Sequence, residues 1–356
     1  VADWLNGKTS GQLLAAMGGN DPSLSDIIKM VHPKPSDLTT TANYAYIIGK
    51  DYNFEALGSS FQKYETYKKG ETEEVPDVPF QLLTSLELDT EAWKAIAKSA
   101  GWHMLRMNLN TFKRHGVLDD PEMISFIANR LRDAEAIRKS RVFPYQLLAA
   151  YLNIDDDIPL AIKNALQDAL EISLENVPKI EGKVYVLPDV SGSMSSAVTG
   201  ERKGSTSKVR CIDVAALVAA ALLRTNEETE VIPFEDRVVR INLNTRDSVM
   251  TNTQKLASIG GGGTNCSAPL ALLNQKNAKG DLIIYVSDNE SWVDTGYRRE
   301  GTATMQEWHF FKKRNPNAGM VCIDIQPHSS TQAPESKDII NIGGFSDLVF
   351  ELIAAF

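Results

Sequence analysis

Cysteine is scarce in this chain. Cys211, Cys266 and Cys322 are the only three in 356 residues, and no two stand at CxxC spacing. They argue against a disulfide framework and fit a reducing, cytoplasmic compartment. Long apolar runs are also missing. The longest, residues 214–223 between Asp213 and Arg224, is about half of what a membrane span needs and reads as a buried helix. No basic-then-apolar signal follows Val1. Histidine is sparse and scattered (His32, His103, His115, His309, His328), with no HExxH, so a zinc hydrolase has no scaffold here. Positive charge is in deficit: 37 Lys and Arg face 46 Asp and Glu, a net −9. That balance excludes indiscriminate coating of polyanions but allows a local basic patch.

What remains is an ordinary hydrophobic share, 43%, enough to bury two cores, and two halves with different patterning. Residues 1–179 predict helices joined by short loops. Ser23 caps a helix that stops before Pro33 and Pro35. Residues 90–107 carry Trp93, Ile96, Ala97 and Trp102 at helical spacing, and helices are expected over 121–136, 144–152 and 158–173. The rhythm of helical pairs suggests an α-solenoid, without a repeat clean enough to set its register. Residues 68–77 read as a charged loop.

From residue 182 the pattern becomes strand, loop, helix, repeated. Strands are expected at 184–187, 230–234, 282–287, 320–325 and 339–342, with helices near 208–225, 253–257, 267–274, 305–313 and 347–356. Apolar strands alternating with helices predict a parallel sheet covered on both faces, with ligand sites at the carboxyl ends of its strands.

One cluster falls at such ends. Asp189, Ser191 and Ser193 close the apolar run 184–188, Thr264 follows four glycines at 260–263, and Asp288 closes 282–287. Acid and hydroxyl oxygens suit a hard divalent cation. These residues resemble the metal-ion-dependent adhesion site (MIDAS) of von Willebrand factor A domains. The resemblance implies Mg²⁺ or another divalent cation held directly by Ser191 and Ser193. Thr264 then acts directly or through water, and Asp189 and Asp288 largely through water. A position left open attracts a carboxylate or phosphate from a partner. No general base is aimed at such an ion, which favours gripping over catalysis. The glycine run lacks the lysine of a P-loop, and Ser191 stands where an aspartyl phosphotransferase places a second acid. Glu290 reads as a solvated neighbour of Asp288.

Basic charge collects upstream. Residues 94–141 hold ten bases against five acids, a net +5 in an acidic chain. Helices followed by an A domain resemble the Ro autoantigen family, RNA-binding proteins with a TROVE module. The resemblance rests on residues 2–6, 27–35, 104–109 and 141–148, then 189–194, 263–266, 287–290 and 342–345. It implies a partial HEAT-like TROVE module at 1–180, the first helices of the family's ring being expected to lie outside this sequence, on another chain, or to be missing from a shortened variant. An α/β doubly wound A domain then occupies 181–356.

By the same resemblance, the partners are a small non-coding, Y RNA-like molecule, the single-stranded 3′ ends of misfolded RNAs, and an exoribonuclease. The chain would then act as a ribonucleoprotein scaffold in RNA quality control rather than as an enzyme. Candidate RNA contacts are Lys29, His32 and Lys34 at one helix end, and Arg106 on a helix. Lys113, Arg114 and His115 are expected in a loop, with Arg138, Lys139 and Arg141 before the next helix. A protein-binding A-domain adaptor without RNA function stays open as the alternative.

Overall fold

A computed structural model describes residues 1–18, 21–199, 207–288, 302–327 and 333–356. Asn289, Glu290 and His328 lie outside the described residues. The chain divides into two compact units, Val1–Ile127 and Ala128–Phe356.

The first unit holds helices and no strand among its described residues. Its helices are α1 (Ala2–Asn6), α2 (Ser10–Ala15), α3 (Leu24–Val31), α4 (Leu38–Ile47), α5 (Ser59–Lys68), α6 (Phe80–Leu83), α7 (Thr90–Ser99), α8 (Trp102–Met107) and α9 (Leu109–Arg114). A tenth, α10 (Pro121–Leu131), crosses the unit boundary. Local chemistry sets the ends. The Ser23 and Asp26 side chains each accept from the other's backbone N–H, a capping box that starts α3. Asp37 and Asp89 cap α4 and α7. The helix expected over 90–107 is two helices, because the chain turns extended at Ala100 and Gly101, and Gly101 becomes the N-cap of α8. Leu5, Phe61, Leu105, Phe112 and Val117 are wholly buried in this unit's core.

The second unit starts with α11 (Ala134–Ser140), α12 (Pro144–Asn153) and α13 (Leu160–Ser173). The helix expected over 121–136 ends at Leu131, since Asp133 accepts from the Glu135 and Ala136 N–H groups and starts α11 instead. Then come β1 (Val184–Pro188), α14 (Cys211–Thr225), β2 (Thr229–Val231), α15 (Val249–Ala257), α16 (Ala268–Gln275) and β3 (Leu282–Ser287). The chain closes with α17 (Ala303–Arg314), β4 (Gly319–Asp324), β5 (Ile339–Gly343) and α18 (Val349–Ala355). Strands thus begin where the sequence pattern changes. The compact unit begins earlier, because α12 packs on α14 and α13 on α15.

The five strands form one parallel sheet in the order β2-β1-β3-β4-β5. Of its three inner strands, β1 and β3 are buried along their whole length, which accounts for their unbroken apolar runs. On one face Tyr185, Leu187, Ile283, Tyr285, Met320 and Cys322 pack with Leu270 and Leu273 of α16 and Trp308 and Phe311 of α17. Alternation along the strands leaves Val184, Val186 and Ile284 to the other face, where α14 packs on β1 and β3. Every residue of α14 from Cys211 to Leu223 is buried, as an all-round apolar helix requires. The three cysteines are free and buried, and burial pushes the Cys322 thiol up to about 12 and that of Cys211 to about 11. Among the described residues, no helix is long and apolar enough to cross a membrane.

Candidate metal centre and candidate RNA contacts

β1 and β3 end side by side, and their ends build the cup. Asp189 continues the β1 ladder, its N–H donating to the Val286 carbonyl at 2.9 Å. The chain then leaves the sheet, and the Ser191 N–H donates back to Asp189 Oδ1 at 2.9 Å. This tight turn brings the Ser191 and Ser193 hydroxyls within 3.2 Å of each other. Asp288 directly follows the last residue of β3 and is buried, as are Asp189, Ser191 and Thr264.

The third loop is tied to the first and to the segment after β2. The Gly192 N–H donates to the Gly262 carbonyl at 3.2 Å, and the Asn265 N–H to the Glu235 carbonyl at 2.8 Å, so Thr264 is bracketed on both sides. Gly260, Gly261 and Gly262 all take positive φ, the conformations that make a glycine run useful here. At Gly262 a Cβ would stand 2.7 Å from Glu235 Oε2, so a side chain there meets the Glu235 carboxylate.

The electrostatics of this cup ask for a cation. Burial pushes the Asp189 carboxyl up to about 6, and the charge of Asp288 pushes the same way. Hydrogen bonds from Ser191 and Ser287 act against that rise. Two buried acids beside two convergent hydroxyls form an all-oxygen donor set that suits a hard divalent ion. No group of three or more His, Cys, Asp or Glu able to hold a metal occurs among the described residues, so such a site needs its hydroxyls. Sequence reasoning missed Ser287. Its hydroxyl donates to Asp189 Oδ2 at 2.7 Å and fixes the carboxylate from the neighbouring strand. Only the order of strands in the sheet reveals that contact.

The basic candidates divide between the two units. In the first, Lys29 occupies the last turn of α3, His32 is its left-handed C-cap, and Lys34 follows with its carbonyl held by Asn6. All three side chains are exposed. Arg106 on α8 is half-buried, its guanidinium 5.9 Å from the Trp102 ring centre. Lys113 and Arg114 are not in a loop. They form the last turn of α9, where cations complement the helix dipole, and His115 is its C-cap. Lys113 is paired with Asp119 at 2.8 Å, and His115 stacks on Trp93 at 4.1 Å.

In the second unit Arg138 and Lys139 lie on α11, and Arg141 is its left-handed C-cap. Arg138 is bound by Glu175 through Nε at 2.5 Å and Nη2 at 3.2 Å. Lys94 and Arg132 are also paired, with Asp120 and Asp168. Arg132 and Arg138 are thus offset by acids outside residues 94–141, whereas Asp120 and Asp119, paired with Lys94 and Lys113, are already counted in the net +5. Arg114, Lys139 and Arg141 are exposed and have no ion pair among the described residues.

Comparison with known proteins adds to this geometry. A family model described as the TROVE domain matches residues 28–183, and one described as the Ro60 vWA domain matches 183–356. The chain is 23% identical over 357 residues to a Deinococcus radiodurans protein named RNA-binding protein RO60, covering 94% of this chain and 65% of that protein. A Caenorhabditis elegans protein of the same name is 26% identical over 253 residues, covering 68% of this chain and 38% of the other. The chain thus spans less than two thirds of either relative. The crystal structure of the Deinococcus radiodurans RO (RSR) protein superposes with a TM-score of 0.69 at 19% identity, over 99% of this chain and 75% of that one. At that identity the likeness establishes the fold.

Proposed function

The chain belongs to the Ro60 family, with TROVE and A domains in that family's order, and on that premise we propose that it is an RNA-binding scaffold without catalytic activity. The observation that carries this reading is the pair of matches in sequence, together with relatives named for RNA binding. Exposed, unpaired Arg114, Lys139 and Arg141 are the cations best able to meet phosphates, since each releases counterions without first breaking an ion pair. Lys29, His32 and Lys34 form a second contact at the end of α3.

In this reading the ligand is a small non-coding RNA of the Y RNA type or the single-stranded 3′ end of a misfolded RNA, held in the cytoplasm for an exoribonuclease. The cup takes Mg²⁺: Ser191, Ser193 and Thr264 supply hydroxyl oxygens, and Asp189 and Asp288 supply negative charge. A bound cation there would draw a carboxylate or phosphate from a docking partner, while Ser287 keeps Asp189 oriented.

RNA co-purification tests the reading. The protein isolated from its own cells should carry an enriched small RNA, and changing Arg114, Lys139 and Arg141 together to Ala should reduce its yield. A protein that emerges with no enriched RNA favours the adaptor alternative and ends this reading.

A further inference from the structure

Two sequence stretches outside the cup, one of them starting at the basic helix end Arg141, meet at one cavity of the second unit. The segment 141–146 and the segment 345–351 line a pocket of about 850 Å³, a size suited to a small organic ligand. We infer that this pocket receives one unpaired ribonucleotide of a bound RNA. The inference rests on the RNA reading above and gives it a specific contact.

Each part of a ribonucleotide has a counterpart in the wall. Arg141 lines the cavity and carries no ion pair among the described residues, so its guanidinium is available to a phosphate. It holds φ 50°, ψ 34°, in the left-handed region that favours glycine. Arg138 stands beside it, fixed by Glu175. For the base there is an aromatic wall: Phe345 and Tyr145 meet edge to face, centroids 5.0 Å apart, and both border the cavity.

The acids in the wall do not cancel this design. Asp347 Oδ1 accepts the Tyr145 N–H at 3.2 Å, in the first turn of α12, which has no side-chain cap of its own. Its charge thereby serves that helix terminus. Glu351 is exposed on α18, and a carboxylate facing a sugar accepts its hydroxyl groups, as acids do in dinucleotide sites. A guanidinium, an aromatic face and one carboxylate together select a ribonucleotide over a bare phosphate or an apolar ligand.

The test uses the full chain, with AMP, dAMP and a short single-stranded oligoadenylate as probes in calorimetric titration. AMP should bind the parent more tightly than dAMP, and the oligonucleotide should displace it. Arg141→Gly, which suits the left-handed backbone and should fold normally, should weaken AMP about tenfold, as the loss of a charge-assisted contact does. Phe345→Leu should weaken it about fivefold through lost stacking. Glu351→Gln should shrink the difference between AMP and dAMP.

Failure of the parent to bind AMP, or unchanged affinity in both Arg141→Gly and Phe345→Leu, overturns the inference. AMP binding that the oligonucleotide cannot displace assigns the pocket to a free nucleotide and overturns the RNA source. A parent that retains cellular RNA equally in all three variants defeats this pocket alone. A parent with no RNA at all defeats the broader reading.

Discussion

The cup and the basic helix ends are built in opposite ways. In the cup, Asp189, Ser191, Thr264 and Asp288 are buried, and the loops carrying them are cross-tied by the bonds from Ser287 to Asp189 and from Gly192 to Gly262. The basic candidates sit on separate helix termini, and several are already matched by acids, as Lys113 is by Asp119 and Arg138 by Glu175. A site for a small hard ion needs oxygens fixed to within fractions of an ångström. A surface for a polyanion needs only unpaired charge at roughly the right spacing. Substitutions should therefore hurt the A domain through packing and geometry, and the helical surface mainly through charge.

The largest effect should come from the helix behind the cup. Leu217→Ala opens a cavity in the fully buried α14 and should cost about 2–5 kcal/mol in denaturant unfolding. Arg114→Ala, on an exposed helix end, should change stability by no more than about 0.5 kcal/mol. Equal losses would erase the contrast between the regions.

Gly262→Ala comes next. It forces a side chain to φ 69° and toward Glu235, and should cost about 1–2 kcal/mol while displacing Thr264 from the cup. An unchanged melting temperature together with undiminished Mg²⁺ binding would show that the loop has more room than its contacts indicate.

On the helical side the effect should be smaller and depend on salt. Replacing Arg114, Lys139 and Arg141 by Ala should lower the slope of log K against log salt by about 2, since each single-strand contact contributes roughly 0.7. Lys113→Ala should move it less, because Asp119 already neutralises that charge. If Lys113 matters as much as Arg114, ion pairing is the wrong criterion for choosing RNA contacts. The smallest response expected is thiol alkylation. At pH 8 native Cys211 and Cys322 should resist labelling, being buried and held as thiols well above that pH, whereas unfolded chain should react at all three cysteines.

The sequence was most legible where function depends on short spacing. Asp189, Ser191 and Ser193 lie within five residues, and the turn that joins their side chains is local. The alternation of strands and helices was equally readable, because buried parallel strands leave unbroken apolar runs. Helix breaks were harder. Apolar periodicity runs on through 100–101 and 132–133, and only the backbone at Gly101 and the cap at Asp133 reveal the interruption. Harder still were pairings across the fold. Counting charges over 94–141 could not anticipate Arg138 with Glu175, 37 residues away, or the reach of Ser287 to Asp189 across 98 residues. Such contacts depend on strand order and helix packing, which local spacing does not encode.

The central claim is that the carboxyl ends of β1 and β3 hold a divalent cation through serine hydroxyls, with the Asp189 and Asp288 carboxylates acting largely through water. Calorimetric titration of Mg²⁺ into metal-stripped parent and into Ser191→Ala tests it most directly. The account predicts one site per chain in the parent and a loss of affinity of tenfold or more in the variant, about 1.4 kcal/mol or greater. Identical isotherms for the two proteins, or no binding to either, would contradict it.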